Sequence, residues 1–283
     1  MSHLKQRLIV GTLAALVIAG GITIGAYPSF RPLFTTFVAA IIGGALWEYY
    51  SLATHLSLRP PPTLGIVFST FYILSIFLVT QYPVCPSLPA ITLSLGVACT
   101  FCYYFFSHER PLENIAVTLF GIVYITLTLG CIIGIMYMPY NTGDDGRLWL
   151  MYLIVVTKIT DIAAYFFGKT MGKTKLAPTL SPNKTWEGAI GGVIFALFAS
   201  IAIHFLGKEI GGITIGLPAA VIIGFFVGFL AQVGDLAESL LKRSAKVKDS
   251  SHLPGLGGML DIVDSLIFTT PLVYLYLQCR QGM

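Results

Sequence analysis

An all-α, polytopic membrane bundle is the fold class this 283-residue sequence predicts, and three observations predict it. Charged residues make up 11% of the chain and apolar ones 55%, whereas a soluble domain is typically about a quarter charged. Apolar runs recur at close to the ~20 residues that a helix needs to cross a bilayer. The Lys and Arg residues between those runs fall unevenly on alternate sides.

Hydropathy along the chain predicts nine spans, at 8–26, 33–50, 65–81, 88–106, 114–138, 148–168, 188–206, 212–233 and 264–278. The first follows a basic stretch with Lys5 and Arg7, as a signal peptide does, but its apolar run is too long and no small-residue cleavage site follows, so it reads as a retained helix. The next spans are separated by short turns marked by Pro, at Arg59 to Pro62 and Tyr82 to Pro89. Cys99 and Cys102 sit inside the fourth span and read as small apolar fillers. The whole is one membrane domain, 1–283, with a sparsely polar scaffold over 1–140 and a charged, catalytic half over 148–283.

With the N-terminus in the cytoplasm, twelve cations (Lys5, Arg7, Arg59, Arg110, Lys169, Lys173, Lys175, Lys184, Lys242, Arg243, Lys246 and Lys248) lie inside. Only four (Arg31, Arg147, Lys208 and Arg280) then lie outside. This orientation places the two large polar loops, 169–187 and 234–263, on the cytoplasmic face of a cell membrane. A net charge of +4 carried by those loops suits anionic lipid head groups and calls for no nucleic acid.

Candidate chemistry gathers in the second half. In the sixth span Lys158, Asp161 and Tyr165 stand at offsets of zero, three and seven, one side of a helix in lipid, and are expected to face the bundle interior. A purely structural Lys158–Asp161 ion pair is the alternative. The loop that follows contains GKTMGKT, which is one residue too short for a phosphate loop and follows a membrane helix instead of a strand. It remains a cationic loop in which Ser181, Lys184, Thr185 and Glu187 lead into the seventh span and suit a triphosphate.

Residues 234–265 hold nine of the chain's thirty acidic and basic side chains. If the eighth helix continues past Gly234, then Asp235, Glu238, Ser239, Lys242 and Lys246 share one face. A Pro/Gly-rich break from His252 to Gly258 then leads to Asp261 and Asp264, at i and i+3 where the last span begins. Cations in a cytoplasmic loop are ordinarily just solvated, but carboxylates at the ends of apolar spans are costly enough to be functional by default. Carboxylates from separate helix ends with Lys and Arg nearby are what Mg²⁺-assisted phosphate chemistry requires. Glycines beside them let backbone approach a phosphate.

These residues resemble a family, the phosphatidate cytidylyltransferases or CDP-diglyceride synthetases. The resemblance rests on Gly234 and Asp235, Ser239 with Lys242 and Arg243, Lys248 and Asp249, Pro254 and Gly255, Gly257 and Gly258, and Asp261 with Asp264. Upstream, Asp161 to Lys169 and Ser181 to Gly188 also look like family elements. Leu256 stands where the family pattern has His, Ile262 where it has Arg, and the stretch from Asp249 to Pro254 is one residue short; His252 is a candidate substitute for the lost His.

The resemblance implies transfer of a cytidylyl group from CTP to phosphatidic acid, giving CDP-diacylglycerol and pyrophosphate in phospholipid synthesis. It implies Mg²⁺ as cofactor, in a two-metal site with a monovalent cation as a further candidate. Asp235 and Asp261 would bind the metals, with Asp264 or Glu238 in support. Lys242, Arg243, Lys248 and Lys184 would neutralise phosphates, and Asp161, Thr185, Ser239, Asp249, Gly257 and Gly258 would contact substrate. Gly224 and Gly228 in the eighth span suit close helix contact, within the subunit or across a homodimer. Two other readings compete: a CTP-dependent kinase of a polyprenol-type lipid, and an ion-coupled transporter using Lys158, Asp161, Asp235 and Asp261.

Overall fold

The computed structural model describes residues 16–107, 109–141, 143–247 and 258–282. Among them are nine helices and one two-stranded hairpin. In chain order they are α1 (Leu16–Gly25), α2 (Arg31–Thr54), α3 (Pro62–Gln81), α4 (Leu88–Ser107) and α5 (Pro111–Tyr137). Then come α6 (Gly146–Thr170), the strands β1 (Lys175–Ala177) and β2 (Ser181–Thr185), α7 (Trp186–Ile210), α8 (Leu217–Ser244) and α9 (Met259–Gln281).

Eight of the nine predicted spans are helices long and apolar enough to cross a membrane. The remaining span, 8–26, lies partly outside the described residues, and its described part is the apolar helix α1. Large apolar side chains such as Phe71, Phe105, Phe106, Phe198 and Ile190 point outward, an arrangement that lipid stabilises and water does not. Pro32, Pro62 and Pro111 stand in the first turns of α2, α3 and α5, where a missing N–H costs nothing.

Three boundaries differ from the hydropathy reading. The eighth span begins at Leu217 instead of 212, because Gly211 and Gly212 adopt φ of 78° and 74° and the chain is not helical again before Leu217. The same helix runs on to Ser244, well past its apolar part, so the polar face from Asp235 to Lys242 is helical. Lys246 leaves that face, since it lies beyond the helix with φ of 59°. The last span starts at Met259, five residues before its apolar run, so Asp261 and Asp264 both lie within α9. The loop 169–187 is an antiparallel hairpin with Lys175 opposite Thr185 and Ala177 opposite Ser181.

The chain divides into two compact units. One comprises Met1–Tyr137 with Leu241–Val263, and the other Met138–Leu240 with Asp264–Met283. In the first, α2, α3 and α5 pack around Leu46, Ile73, Ile125, Leu129 and Ile133. Tyr50 donates to the Thr118 carbonyl at 2.9 Å, and the Asn114 side chain ties the Arg59 amide (2.7 Å) to the Glu109 carbonyl (2.7 Å).

The second unit has α6 and α7 closely packed over Trp149, Leu153, Val156 and Ala196. Gly224 and Gly228 of α8 meet α7 of the same chain: a Cβ at either would lie 2.7 Å from the Cβ of Ser200 or of Ala196. At one end of this unit, buried Asp144 accepts from the Thr214 amide at 2.7 Å and pairs with Arg280 at 2.9 Å, closing the chain terminus onto the 212–216 turn.

Candidate active site

The site grows from the polar ends of α8 and α9. Gly234 is where they touch: a Cβ there would collide with the carbonyl of Asp264 and come within 3.3 Å of the Ser265 Cα. Only glycine permits this approach, and its effect is to bring two carboxylates of α8 beside one of α9. Oxygens of Asp235, Glu238 and Asp264 all lie within 4.8 Å of one another. Glu238 is 1% exposed and Asp264 8%, so two of the three are removed from water. Like charges so close repel strongly where little water screens them, and hard oxygen donors from two helices fit a divalent cation of the Mg²⁺ type. The donor set therefore suits a hard divalent cation.

Cationic groups border this cluster. Lys184 of β2 pairs with Asp235 at 2.7 Å. On α6, Lys158 lies 3.2 Å from Asp161 and donates to the Ser265 hydroxyl at 3.0 Å, while that hydroxyl donates to Asp161 at 3.1 Å. The Lys158–Asp161 pair is thus present, and Ser265 joins it to the turn that carries Asp264. Tyr165 departs from expectation: it is 70% exposed, with Lys169 over its ring at 5.8 Å.

Beside the cluster is an open cavity of about 480 Å³. Asp161, Tyr165, Lys169, Lys184, Gln232 and Asp235 are among the residues lining it. Its shape depends on Gly168, Gly172 and Gly188, where α6 and the start of α7 come within backbone contact. Thr185, expected to bind substrate, lines the cavity and also caps α7 by accepting the Gly188 amide at 3.2 Å. Glu187 accepts from the Thr174 amide at 3.1 Å, fixing the hairpin against the helix start.

Asp261 is engaged differently. One oxygen accepts from Lys242 at 2.5 Å and the other from the Gly258 amide at 2.6 Å, within the first unit. The structure thus brings together three of the four expected metal ligands and gives the fourth a lysine partner. Ser239 is half-buried on α8, and Arg243 is exposed and donates to the Val247 carbonyl at 3.3 Å. Lys248, Asp249, His252, Leu256 and Gly257 lie outside the described residues.

Sequence reasoning overlooked Gln232, Ser265 and Glu48. Gln232 donates to the Ala189 carbonyl at 2.8 Å and stands one turn before Asp235, so a polar residue in an apolar span was the available signal. Glu48 is the one acidic residue of α2 and carries the same signal.

Eight spanning helices and a buried carboxylate cluster beside a lysine-edged cavity define the class: a polytopic membrane protein with a polar site among apolar helices. The family model described as the cytidylyltransferase family matches residues 5–280, and the chain belongs to that family. It is 31% identical to a phosphatidate cytidylyltransferase of Chlamydia pneumoniae over 99% of this chain and 93% of that one. Identity to the phosphatidate cytidylyltransferase of Bacillus subtilis is 30% over 98% of each chain. The Chlamydia muridarum protein of the same name is 37% identical over 61% of this chain, a match that spans 57% of that relative's length.

Proposed function

We propose that this chain is a phosphatidate cytidylyltransferase, which joins the cytidylyl group of CTP to phosphatidic acid and releases pyrophosphate. The observation that carries the reading is the buried group of Asp235, Glu238 and Asp264, whose Asp235 also lines a cavity entered by Lys184. Membership of the cytidylyltransferase family and near full-length similarity to two proteins of that name support it.

In the reaction, an oxygen of the lipid phosphate forms a bond to the α-phosphorus of CTP as the bond from that phosphorus to the β-phosphate oxygen breaks. A phosphate monoester is largely dianionic at neutral pH, since its second ionisation lies near pH ~6, so the nucleophile needs no strong general base. The protein's task is to hold two anions together and neutralise them. Asp235, Glu238 and Asp264 are the residues that would hold Mg²⁺. Bound there, a divalent ion supplies charge neutralisation and Lewis-acid polarisation of phosphate oxygens.

Lys184 and Lys169 at the cavity supply positive charge for a triphosphate, and Asp161 fixes Lys158 and Ser265 around Asp264. Lys242, Arg243 and Lys248 enter the reading through the family pattern as groups that neutralise phosphate, and Asp261 as the further metal ligand that the resemblance implies, here paired with Lys242. The excess of cations on one side supports an orientation with the N-terminus and both polar loops in the cytoplasm, where CTP is found.

The test is transfer of label from cytidine-ring-labelled CTP into chloroform-soluble lipid by purified protein supplied with phosphatidic acid and Mg²⁺. Ring label in the lipid, lost in Asp264→Asn, is the expected result. Transfer of γ-phosphate without the ring would identify a lipid kinase instead, and no transfer of either would overturn the reading.

A further inference from the structure

The buried carboxylate of Glu48 lies in the half of the chain that the sequence marks as scaffold. One of its oxygens accepts from the Met259 amide at 2.8 Å and the other from the Leu260 amide at 2.8 Å. These are the first two residues of α9, whose N–H groups have no acceptor within their own helix. A local Ser, Thr, Asp or Asn before the helix ordinarily fills that role. Here the preceding residue is Gly258, which has no side chain to offer, so the cap comes from more than two hundred positions away.

Gly258 is not left over: its own amide is taken by Asp261, the third residue of the helix, in the reach-back half of a capping box. The three amides that open α9 are thus divided between two carboxylates, Glu48 taking two and Asp261 one. The division leaves the other oxygen of Asp261 directed at Lys242. Gly44, one turn before Glu48 on α2, faces the Met259 side chain: a Cβ there would lie 3.4 Å from it, in ordinary contact.

We infer that Glu48 is a positioning residue for the reaction: it caps the first turn of α9 in place of a local side chain and so fixes Asp261 on Lys242. This rests on the cytidylyltransferase reading for its functional consequence and on the amide contacts alone for its structural one. A neutral or shortened side chain would leave the Met259 and Leu260 amides under-satisfied, and Asp261 would be drawn back to cap its own helix. A buried charge is a costly way merely to hold two helices together, whereas a charge aimed at a helix start orients it.

The experiment compares Glu48→Gln and Glu48→Asp with wild type, each checked for a single folded species in detergent. Hydrogen exchange read by mass spectrometry is expected to quicken about tenfold or more at Met259 and Leu260 in Glu48→Gln. Per folded molecule, kcat should fall about tenfold or more and the half-saturating Mg²⁺ concentration should rise, with Glu48→Asp recovering part of both. Unchanged exchange at 259–260 overturns the inference. So does faster exchange with kcat and Mg²⁺ response unaltered, which would make Glu48 a structural cap only. If Glu48→Gln fails to fold, Glu48→Asp carries the same comparison. If wild type transfers no cytidine, the functional reading fails by itself, and exchange together with calorimetric titration of Mg²⁺ still decides the positioning role.

Discussion

Asp235, Glu238 and Asp264 each have different surroundings, and that should separate their variants. Asp235 is shared with Lys184 and the cavity, while Glu238 and Asp264 are buried. Removing one carboxylate from such a cluster takes away a ligand and also leaves less charge to attract a cation. Asp235→Asn, Glu238→Gln and Asp264→Asn are each expected to lower kcat by about 10²-fold or more, by analogy with the loss of one electrostatic stabiliser. Because like charges so close destabilise the fold without a cation, Glu238→Gln and Asp264→Asn should raise the melting temperature measured with a chelator and lose the stabilisation that Mg²⁺ gives wild type, whereas Asp235→Asn also breaks the ion pair with Lys184 and should not raise it. A thermal shift series with and without EDTA checks this. Mg²⁺-independent melting in wild type would remove the metal from the site. The carboxylates themselves were legible in the sequence as polar residues at the ends of apolar spans; Ser265, whose amide donates to Asp264, was not, because a single small neutral residue carries no charge signal.

At the scale of elements, the contact of α8 with α9 decides whether the site exists. Gly234 meets the backbone of Asp264 and Ser265, and backbone cannot swing aside as a side chain tip does. Gly234→Ala is expected to destabilise by about 1–3 kcal/mol through overpacking and to lower activity more than its stability loss accounts for, by moving Asp264 off Asp235 and Glu238. Gly20→Ala on α1 is the control, since a Cβ there meets nothing within 4 Å and alanine is the better helix former. Melting curves and kcat measured together distinguish the two: equal behaviour of the variants would mean that α8 and α9 can shift without cost. The helical face from Asp235 to Lys242 was readable from 3.6-residue spacing. The hairpin of β1 and β2 was not, because three- and five-residue strands in a cationic loop have no hydrophobic alternation to reveal them.

For the molecule as a whole, the charge distribution predicts an orientation. The cation excess predicts that the turn after α3 and the polar hairpin after α6 lie on opposite sides of the membrane. Exposed Cys85 is a native reporter for the first. In intact cells a membrane-impermeant maleimide is expected to label Cys85, whereas a cysteine introduced as Lys173→Cys should react only after lysis. The reverse pattern would invert the protein and move its polar loops away from cytosolic CTP. The division into two units also belongs at this scale: the segment Leu241–Val263, which hydropathy assigns to the catalytic half, is in the same unit as the first helices. Near its end, the Met259 and Leu260 amides are capped by Glu48 of α2.

The sequence by itself determined the membrane class, eight of the spans, the composite motif and the identity of the acidic residues. Each of these is local: hydropathy over about twenty residues, periodicity over a few turns, or residue type at a fixed spacing. Tertiary structure alone decided which carboxylates meet. Asp261 is the nearer to Asp235 in the sequence, yet Asp264 joins Asp235 and Glu238 while Asp261 goes to Lys242 and Gly258. That choice depends on which side of α9 faces a glycine on α8 and on a glutamate far away in the chain, and neither dependence leaves a mark in the order of residues. Contact between distant helices is set by shape at the point of approach, which only the folded chain possesses.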